Sequence, residues 1–334
     1  MRIKMDDIVS VEKKHIFFKV SWKMTNSCNY RCPYCYMAKA VAKGDNHTSE
    51  ETVLKIASKI DDITSIQAKG RTVQLHLIGG EVSQYNLINV LDKIKKVRKL
   101  IIVTNFSAPT DYWLNLKSYC KKRKIQPNII ASFHLTQCDH EGFIEKAIKV
   151  HASVKSVINP DNINEYKPYF EKLKKNNIRI EITVERDSEN SCKQFIDKEI
   201  QDYVDTVNDT LVKKDVYFNV KTKDGKVIPF GTNISFINSI DIGGFDPEGF
   251  LCTAGLDDIR ILPDGRLQRA GCRHASILND IGNILGEYTL PTKPIICHTT
   301  EADKNGLQRH RMCTCFCNTN MYRNPSDWKN KLNF

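Results

Sequence analysis

No run of apolar residues in this chain approaches the ~20 needed to cross a bilayer as a helix. The first residues, Met1-Arg2-Ile3-Lys4-Met5-Asp6-Asp7, are not followed by the apolar stretch of a secretory signal. A soluble, cytoplasmic protein with no membrane partner is therefore expected. The sequence has no low-complexity segment, no internal repeat and no recognisable RNA-binding module. Its charge is not balanced: 50 Lys and Arg face 39 Asp and Glu, a formal +11. The excess is spread, with runs at Lys93-Ile94-Lys95-Lys96-Val97-Arg98-Lys99 and from Lys117 to Lys124. Both fall where helices are expected and read as solvated helix faces, so nucleic acid is disfavoured as a partner. A basic surface still suits acidic partners by electrostatic steering.

What is present is a chain of 334 residues, 41% hydrophobic, enough for one large α/β domain and a smaller one. Apolar strand-like runs alternate with amphipathic stretches. Strands are expected at His15–Trp22, Val73–Ile78, Leu100–Thr104, Pro127–Leu135, His151–Ile158 and Ile178–Val184. Helices are expected at about Ser49–Ile60, Gln84–Arg98, Asp111–Lys122, Glu141–Val150, Asp161–Lys175 and Ser191–Val204. Strands separated by helices of this length make parallel βαβ units. Near residue 205 the rhythm changes. Val216–Val220 and Val227–Phe230 flank Asp224-Gly225 as a hairpin, and glycines then cluster at Gly243, Gly244 and Gly249.

Twelve cysteines in a cytosolic chain argue for metal or redox chemistry, because the cytosol keeps thiols reduced. Three of them lie in Cys28-Asn29-Tyr30-Arg31-Cys32-Pro33-Tyr34-Cys35, a C-x3-C-x2-C loop. Three thiolates at that spacing can hold three irons of a [4Fe-4S] cluster and leave the fourth iron open to a ligand. The alternative is a structural zinc, but zinc takes four ligands and no second cysteine pair or ligand His lies close by.

The loop follows the strand at His15–Trp22 and carries an aromatic, Tyr34, before its last cysteine. A second strand, Val73–Ile78, runs into Gly79-Gly80-Glu81. Over roughly residues 14 to 205 these features together resemble the radical S-adenosylmethionine (radical SAM) superfamily. The resemblance implies a partial (β/α)6 TIM-like barrel with its active site at the carboxyl ends of the strands. It implies that Cys28, Cys32 and Cys35 carry the cluster. The 79–81 segment would receive the methionine amino group of S-adenosylmethionine (SAM), and the backbone around Tyr34 would touch adenine. The reduced cluster splits SAM into methionine and a 5′-deoxyadenosyl radical, which takes a hydrogen atom from the substrate. Further SAM contacts are expected from strand ends: Thr104 and Asn105 end the third strand, and Ser132 and His134 lie near the end of the fourth, where that family places ribose and carboxylate contacts. Asn159 and Arg186 end the fifth and sixth, with Arg186 able to face the methionine carboxylate. For His134 a hydrogen-bonded barrel histidine, and for Arg186 a surface charge, are the alternatives. Among Glu185, Asp187, Asp257 and Asp258 the sequence does not single out a general base.

The C-terminal part is similar to the SPASM and twitch extensions of the same family. Cys252-Thr253-Ala254-Gly255 opens it, a hairpin turns at Pro263-Asp264-Gly265, and Ile281-Gly282-Asn283-Ile284 follows. Residues 252 to 334 hold six cysteines: Cys252, Cys272, Cys297, Cys313, Cys315 and Cys317. Two auxiliary clusters would need more, so the resemblance implies one, on Cys252, Cys272 and two of Cys313, Cys315 and Cys317; a structural zinc is the alternative. Cys297 is open between ligand, spare thiol and hydrogen-atom donor. Cys120, Cys138 and Cys192 read as core thiols. The organisation expected is an N-terminal extension at 1–13, the barrel at 14–205, a connecting hairpin and linker at 206–250, and a twitch-like auxiliary domain at 251–334.

The enzyme so implied activates a C–H bond of a peptide or, alternatively, of a small polar molecule such as a sugar or aminoglycoside. RNA modification and a non-catalytic iron-sulfur protein are the remaining readings. Flavodoxin or ferredoxin is the implied electron donor. Only 27 residues precede Cys28, too few for a fused leader-recognition domain, so a peptide substrate would call for a separate recognition protein or direct binding.

Overall fold

A computed structural model describes residues 7–13, 17–35, 47–159, 161–184, 202–204, 206–207, 218–230, 251–269, 280–293, 295–296 and 321–322. The elements run β1 (Ile8–Lys13), β2 (Phe17–Lys23), α1 (Glu50–Gln67), β3 (Thr72–Ile78), α2 (Leu87–Asp92), β4 (Val97–Thr104), α3 (Thr110–Lys122), β5 (Gln126–Phe133), α4 (His140–Val150), β6 (Ser153–Ile158), α5 (Ile163–Lys175) and β7 (Ile180–Val184). Then come β8 (Phe218–Thr222), β9 (Val227–Phe230), β10 (Leu251–Cys252), β11 (Asp258–Ile261), β12 (Arg266–Arg269), β13 (Asp280–Asn283), β14 (Ile295–Ile296) and β15 (Met321–Tyr322).

The six strands expected from the alternation are β2 to β7, and they pair in chain order, each parallel to the next. Stepping always in one direction with right-handed crossovers puts the intervening helices on one face of the sheet. That face is the apolar one. Phe18, Val20 and Trp22 of β2, Leu75 and Leu77 of β3, and Leu100 and Ile102 of β4 join Ile56, Ile60, Trp113, Phe143 and Phe170 from the helices in one buried cluster. The alternate residues point to the opposite face: Lys19, Ser21 and Lys23 of β2, Gln74 and His76 of β3, Ser132 of β5, Lys155 of β6 and Glu181 of β7. The fold is thus α/β around a mostly parallel sheet of nine strands, ordered β13-β12-β11-β2-β3-β4-β5-β6-β7.

The C-terminal strands extend that sheet. β11 lies parallel to β2, with Arg260 opposite Ser21, and the antiparallel β12 and β13 follow outward. The hairpin turn is the expected Pro263-Asp264-Gly265, with Gly265 at φ 84° donating its amide to Leu262 O. Ile259, Ile261, Leu267 and Ile281 enter the same apolar cluster as the β2 core. Gln67 and Arg71 weld this segment to the end of α1: Gln67 Nε2 donates to Gly255 O and Pro291 O, and Arg71 pairs with Asp257 at 2.5 Å. A second sheet, β14-β10-β15-β1-β8-β9, carries the Asp224-Gly225 hairpin.

Two helices differ from expectation. α1 starts on the Ser49 cap as expected but runs on to Gln67, because buried Ile63 and Gln67 continue the spacing of Ile56 and Ile60 and no breaker comes before Gly70. The helix expected over Gln84–Arg98 shrinks to Leu87–Asp92. Asp61 Oδ1 accepts the amides of Lys95 and Lys96 at 2.9 and 3.0 Å, so those N–H groups leave the helical ladder. The basic run at 93–99 is therefore a turn and the start of β4, not a helix face. Residues 202–204 and 206–207 are helical; the rest of the sixth helix lies outside the described residues.

Candidate active site

The cysteine loop leaves the carboxyl end of β2 and is zipped to the end of β3 by backbone. Met24 N donates to Ile78 O, Gly80 N to Thr25 O and Glu81 N to Ser27 O, all at 2.8–2.9 Å. The two glycines make this approach possible. Gly79 sits at φ 151°, and a Cβ there would lie 2.5 Å from Thr25 O; a Cβ on Gly80 would lie 1.8 Å from Ser27 O. What the glycines admit is the close approach of the cysteine loop.

Glu81 is fully buried, and its carboxylate is spoken for. Oε1 accepts from Thr104 Oγ1 at 2.6 Å and from Ser83 N at 2.8 Å; Oε2 accepts from Asn105 N at 2.6 Å. Glu81 thereby ties the end of β3 to the end of β4. Asn105 carries the tie to the loop: its Nδ2 donates to Asn29 Oδ1 at 2.8 Å and lies 3.7 Å from Cys28 Sγ. Cys28 Sγ also accepts from Tyr30 N at 3.4 Å. Glu81, Thr104 and Asn105, three residues singled out by the sequence, thus form one network supporting Cys28.

Tyr34 and His134 also meet. Tyr34 Oη lies 2.8 Å from His134 Nδ1, with ring centroids 5.8 Å apart, and Tyr30 packs its edge against the same imidazole. Burial pushes the His134 pKa down to about 4, so the ring is neutral at pH 7. Arg31 N donates to Gln137 Oε1, fastening the loop to the segment after β5. Ser132 lies on the polar face of β5, in register with Lys155. Asn159 is held in the turn leading into α5, its Oδ1 accepting from Asn162 N at 3.0 Å. Asp257 is held by Arg71 and Thr253, which makes it a fastening residue rather than a free base. Asp258 is fully buried on the polar face, in register with Lys19.

Cys28, Cys32 and Cys35 are free thiols on one loop; Cys32 is buried and the other two are partly exposed. Burial pushes the Cys28 thiol up, and takes Cys32 to about 11 with help from the neighbouring Cys35 and Cys28 sulfurs. Among the described residues, no three or more Cys, His, Asp and Glu side chains are gathered closely enough to hold a metal ion. The donor set, three soft sulfurs with two N–H groups directed at Cys28, fits an iron-sulfur cluster better than a hard cation. Cys120 is a core thiol; Cys138 is partly exposed, its sulfur 3.2 Å from His134 O. Cys272, Cys313, Cys315, Cys317, Cys297, Cys192, Glu185, Arg186 and Asp187 lie outside the described residues, and for Cys252 only the strand backbone is described.

The chain has the fold of Streptococcus suis SuiB, solved bound to precursor peptide SuiA: TM-score 0.50 and 14% identity, covering 83% of this chain and 64% of that one. In sequence it is similar to an S-adenosylmethionine-dependent nucleotide dehydratase from Psychrobacter lutiphocae, 30% identical over 105 residues, which span 29% of this chain and 35% of the relative. BtrN, solved in complex with AdoMet and 2-DOIA, matches at TM-score 0.37 and 11% identity over 80% of this chain and 78% of its own. The chain thus spans under two thirds of SuiB and about a third of the dehydratase. No protein-family model matches it. Among the described residues, no helix is long and apolar enough to cross a membrane.

Proposed function

We propose that this protein is a radical SAM enzyme that abstracts a hydrogen atom from its substrate, on a partial (β/α)6 barrel with a twitch-like C-terminal extension. The observation that carries the reading is the cysteine loop zipped onto the Gly79-Gly80-Glu81 turn, with Asn105 reaching from β4 to Cys28. Similarity to a SAM-dependent dehydratase supports the choice of cofactor. Cys28, Cys32 and Cys35 would hold a [4Fe-4S] cluster with SAM at its open iron. Once reduced by its electron donor, such a cluster would supply the chemistry that turns SAM into the hydrogen-abstracting radical.

The chain's own residues do the positioning. Glu81 locks the ends of β3 and β4 so that the loop cannot swing, and Asn105 orients Cys28. Neutral His134 holds the Tyr34 ring, leaving the backbone around Tyr34 for adenine. Gly79, Gly80, Thr104 and Ser132 complete the SAM side, with Arg186 for the methionine carboxylate. In this reading Cys252, Cys272 and two of Cys313, Cys315 and Cys317 hold one auxiliary cluster. Flavodoxin or ferredoxin is the electron donor.

A peptide is the first substrate class, supported by the shared fold with SuiB, and a separate leader-recognition protein would then be the partner. The second class is a small polar molecule, favoured by the sequence match to a nucleotide dehydratase. The test is anaerobic reconstitution, iron and sulfide counting, and incubation with dithionite and SAM. About eight irons per chain with 5′-deoxyadenosine support both clusters, and about four with 5′-deoxyadenosine remove the auxiliary one. Zinc in place of iron, with no cleavage, sinks the reading.

A further inference from the structure

The face of the sheet opposite the helices is polar, and its β11–β2–β3 corner gathers cations that form no ion pair among the described residues. Arg260, Ser21 and His76 lie in one row across these three strands, because Arg260 registers with Ser21 and Ser21 with His76. Paired residues of parallel strands point to the same side, and Lys23, two residues beyond Ser21, shares that side. Arg260 Nε and His76 Nε2 are both buried, and among the described residues neither has a hydrogen-bond partner. Among the described residues neither Arg260 nor Lys23 forms an ion pair. Asp258, two residues before Arg260 on β11, lies at the level of Lys19 and accepts from Ser21 Oγ at 3.4 Å.

Arg260 and Lys23 also feel one another: after burial, the Arg260 charge is what most lowers the pKa of Lys23. His76 is pushed down by burial and then by Lys19 and Lys155, so positive potential reaches it from two sides. Half-buried like charges repel, and an unmade hydrogen bond on a buried guanidinium is costly. Both costs vanish if an oxyanion enters. Ser21, between Arg260 and His76 in the row, has the smallest side chain of the three. The guanidinium fork matches a carboxylate or phosphate. Lys23 is also within electrostatic reach of Cys35, a residue of the cysteine loop.

We propose that Arg260 and Lys23, with His76 across Ser21, bind an anionic oxygen group of the substrate, a carboxylate or a phosphate. The word substrate rests on the radical SAM reading; the anion site does not. One consequence is that the C-terminal hairpin contributes directly to the pocket, since Arg260 is its residue.

Calorimetric titration of the reconstituted full chain with inorganic phosphate and, separately, with succinate tests the site, with SAM binding measured by equilibrium dialysis on the same samples. Either anion should bind, the tighter one naming the chemical class. Arg260→Gln and Lys23→Gln should each weaken it by roughly tenfold or more, the weight of a hydrogen bond to a charged group. Lys55→Gln, on the exposed face of α1, should not change it. Arg260→Lys keeps the charge and should recover part of the affinity, which separates loss of the site from loss of the fold. The proposal is overturned if neither anion binds wild type more tightly than Arg260→Gln. It is equally overturned if Arg260→Gln loses SAM in parallel, because the site would then hold the methionine carboxylate. Failure of the radical SAM reading has its own signature: no 5′-deoxyadenosine from wild type, with the anion titration unaffected.

Discussion

Gly80 and Ser27 touch backbone to backbone: a Cβ on Gly80 would fall 1.8 Å from the Ser27 carbonyl oxygen. Neither partner is a flexible side-chain end, so the collision cannot be relieved by a rotamer change. Gly80→Ala should push the cysteine loop off the end of β3. Overpacking of this kind costs about 1–3 kcal/mol, measurable as a lower urea midpoint, and iron uptake should fall with it. Gly286, which has open space around the missing Cβ, is the control; Gly286→Ala should change neither.

Glu81 accepts three hydrogen bonds in a fully buried position. Glu81→Gln keeps the shape but turns an amide N–H₂ toward a donor. An unmade buried bond costs about 1–3 kcal/mol. Urea unfolding should show that loss, and Thr104→Val, which removes one of the same bonds, should add less than its own full effect in the double variant.

Arg71 joins the end of α1 to the segment before β11 through Asp257 and through Leu256 O. Both side chains of the pair are mostly buried. Arg71→Ala leaves Asp257 without its cation, and a loss of about 2–4 kcal/mol is expected. Amide hydrogen exchange should rise first in 251–269. If it rises uniformly instead, the pair does not act as a local clasp.

His134 supplies a pH dependence whose sign can be worked out. Burial holds its folded pKa at about 4, below the usual 6.5. Between those values the unfolded chain binds a proton that the folded one does not, so stability falls as pH drops below 6.5 and is complete above it. His76, also pushed down by burial, adds in the same direction. His134 by itself should cost wild type about 2 kcal/mol between pH 7.5 and 5, and His134→Gln should lose less than wild type by about that amount over the same interval. Equal slopes for the two would remove His134 as the source.

Much of the frame was legible because it rests on short-range physics. The six parallel strands and the helices between them follow from apolar runs and helical spacing, and the turns at Asp224-Gly225 and Pro263-Asp264-Gly265 follow from local chemistry. The helix expected over Gln84–Arg98 failed because Asp61, more than thirty residues earlier, takes the amides of Lys95 and Lys96. Helical spacing in a window around residue 95 holds no trace of that carboxylate. Asp257 could not be told from a general base for the same reason, since Arg71 is 186 residues away.

By itself the sequence determined the alternation of elements, the three-sulfur loop at the end of β2 and the glycine pair at the end of β3, all of which depend on residues adjacent along the chain. Tertiary structure decided what those pieces meet. It set Gly79 and Gly80 against the cysteine loop, spent the Glu81 carboxylate on β4, and laid β11 beside β2 so that Arg260 shares a face with Lys23 and His76. Pairing a parallel strand with one some 240 positions away is a matter of which edge is free and which apolar face remains to be covered. The whole sheet answers that question, and no local run of residues does.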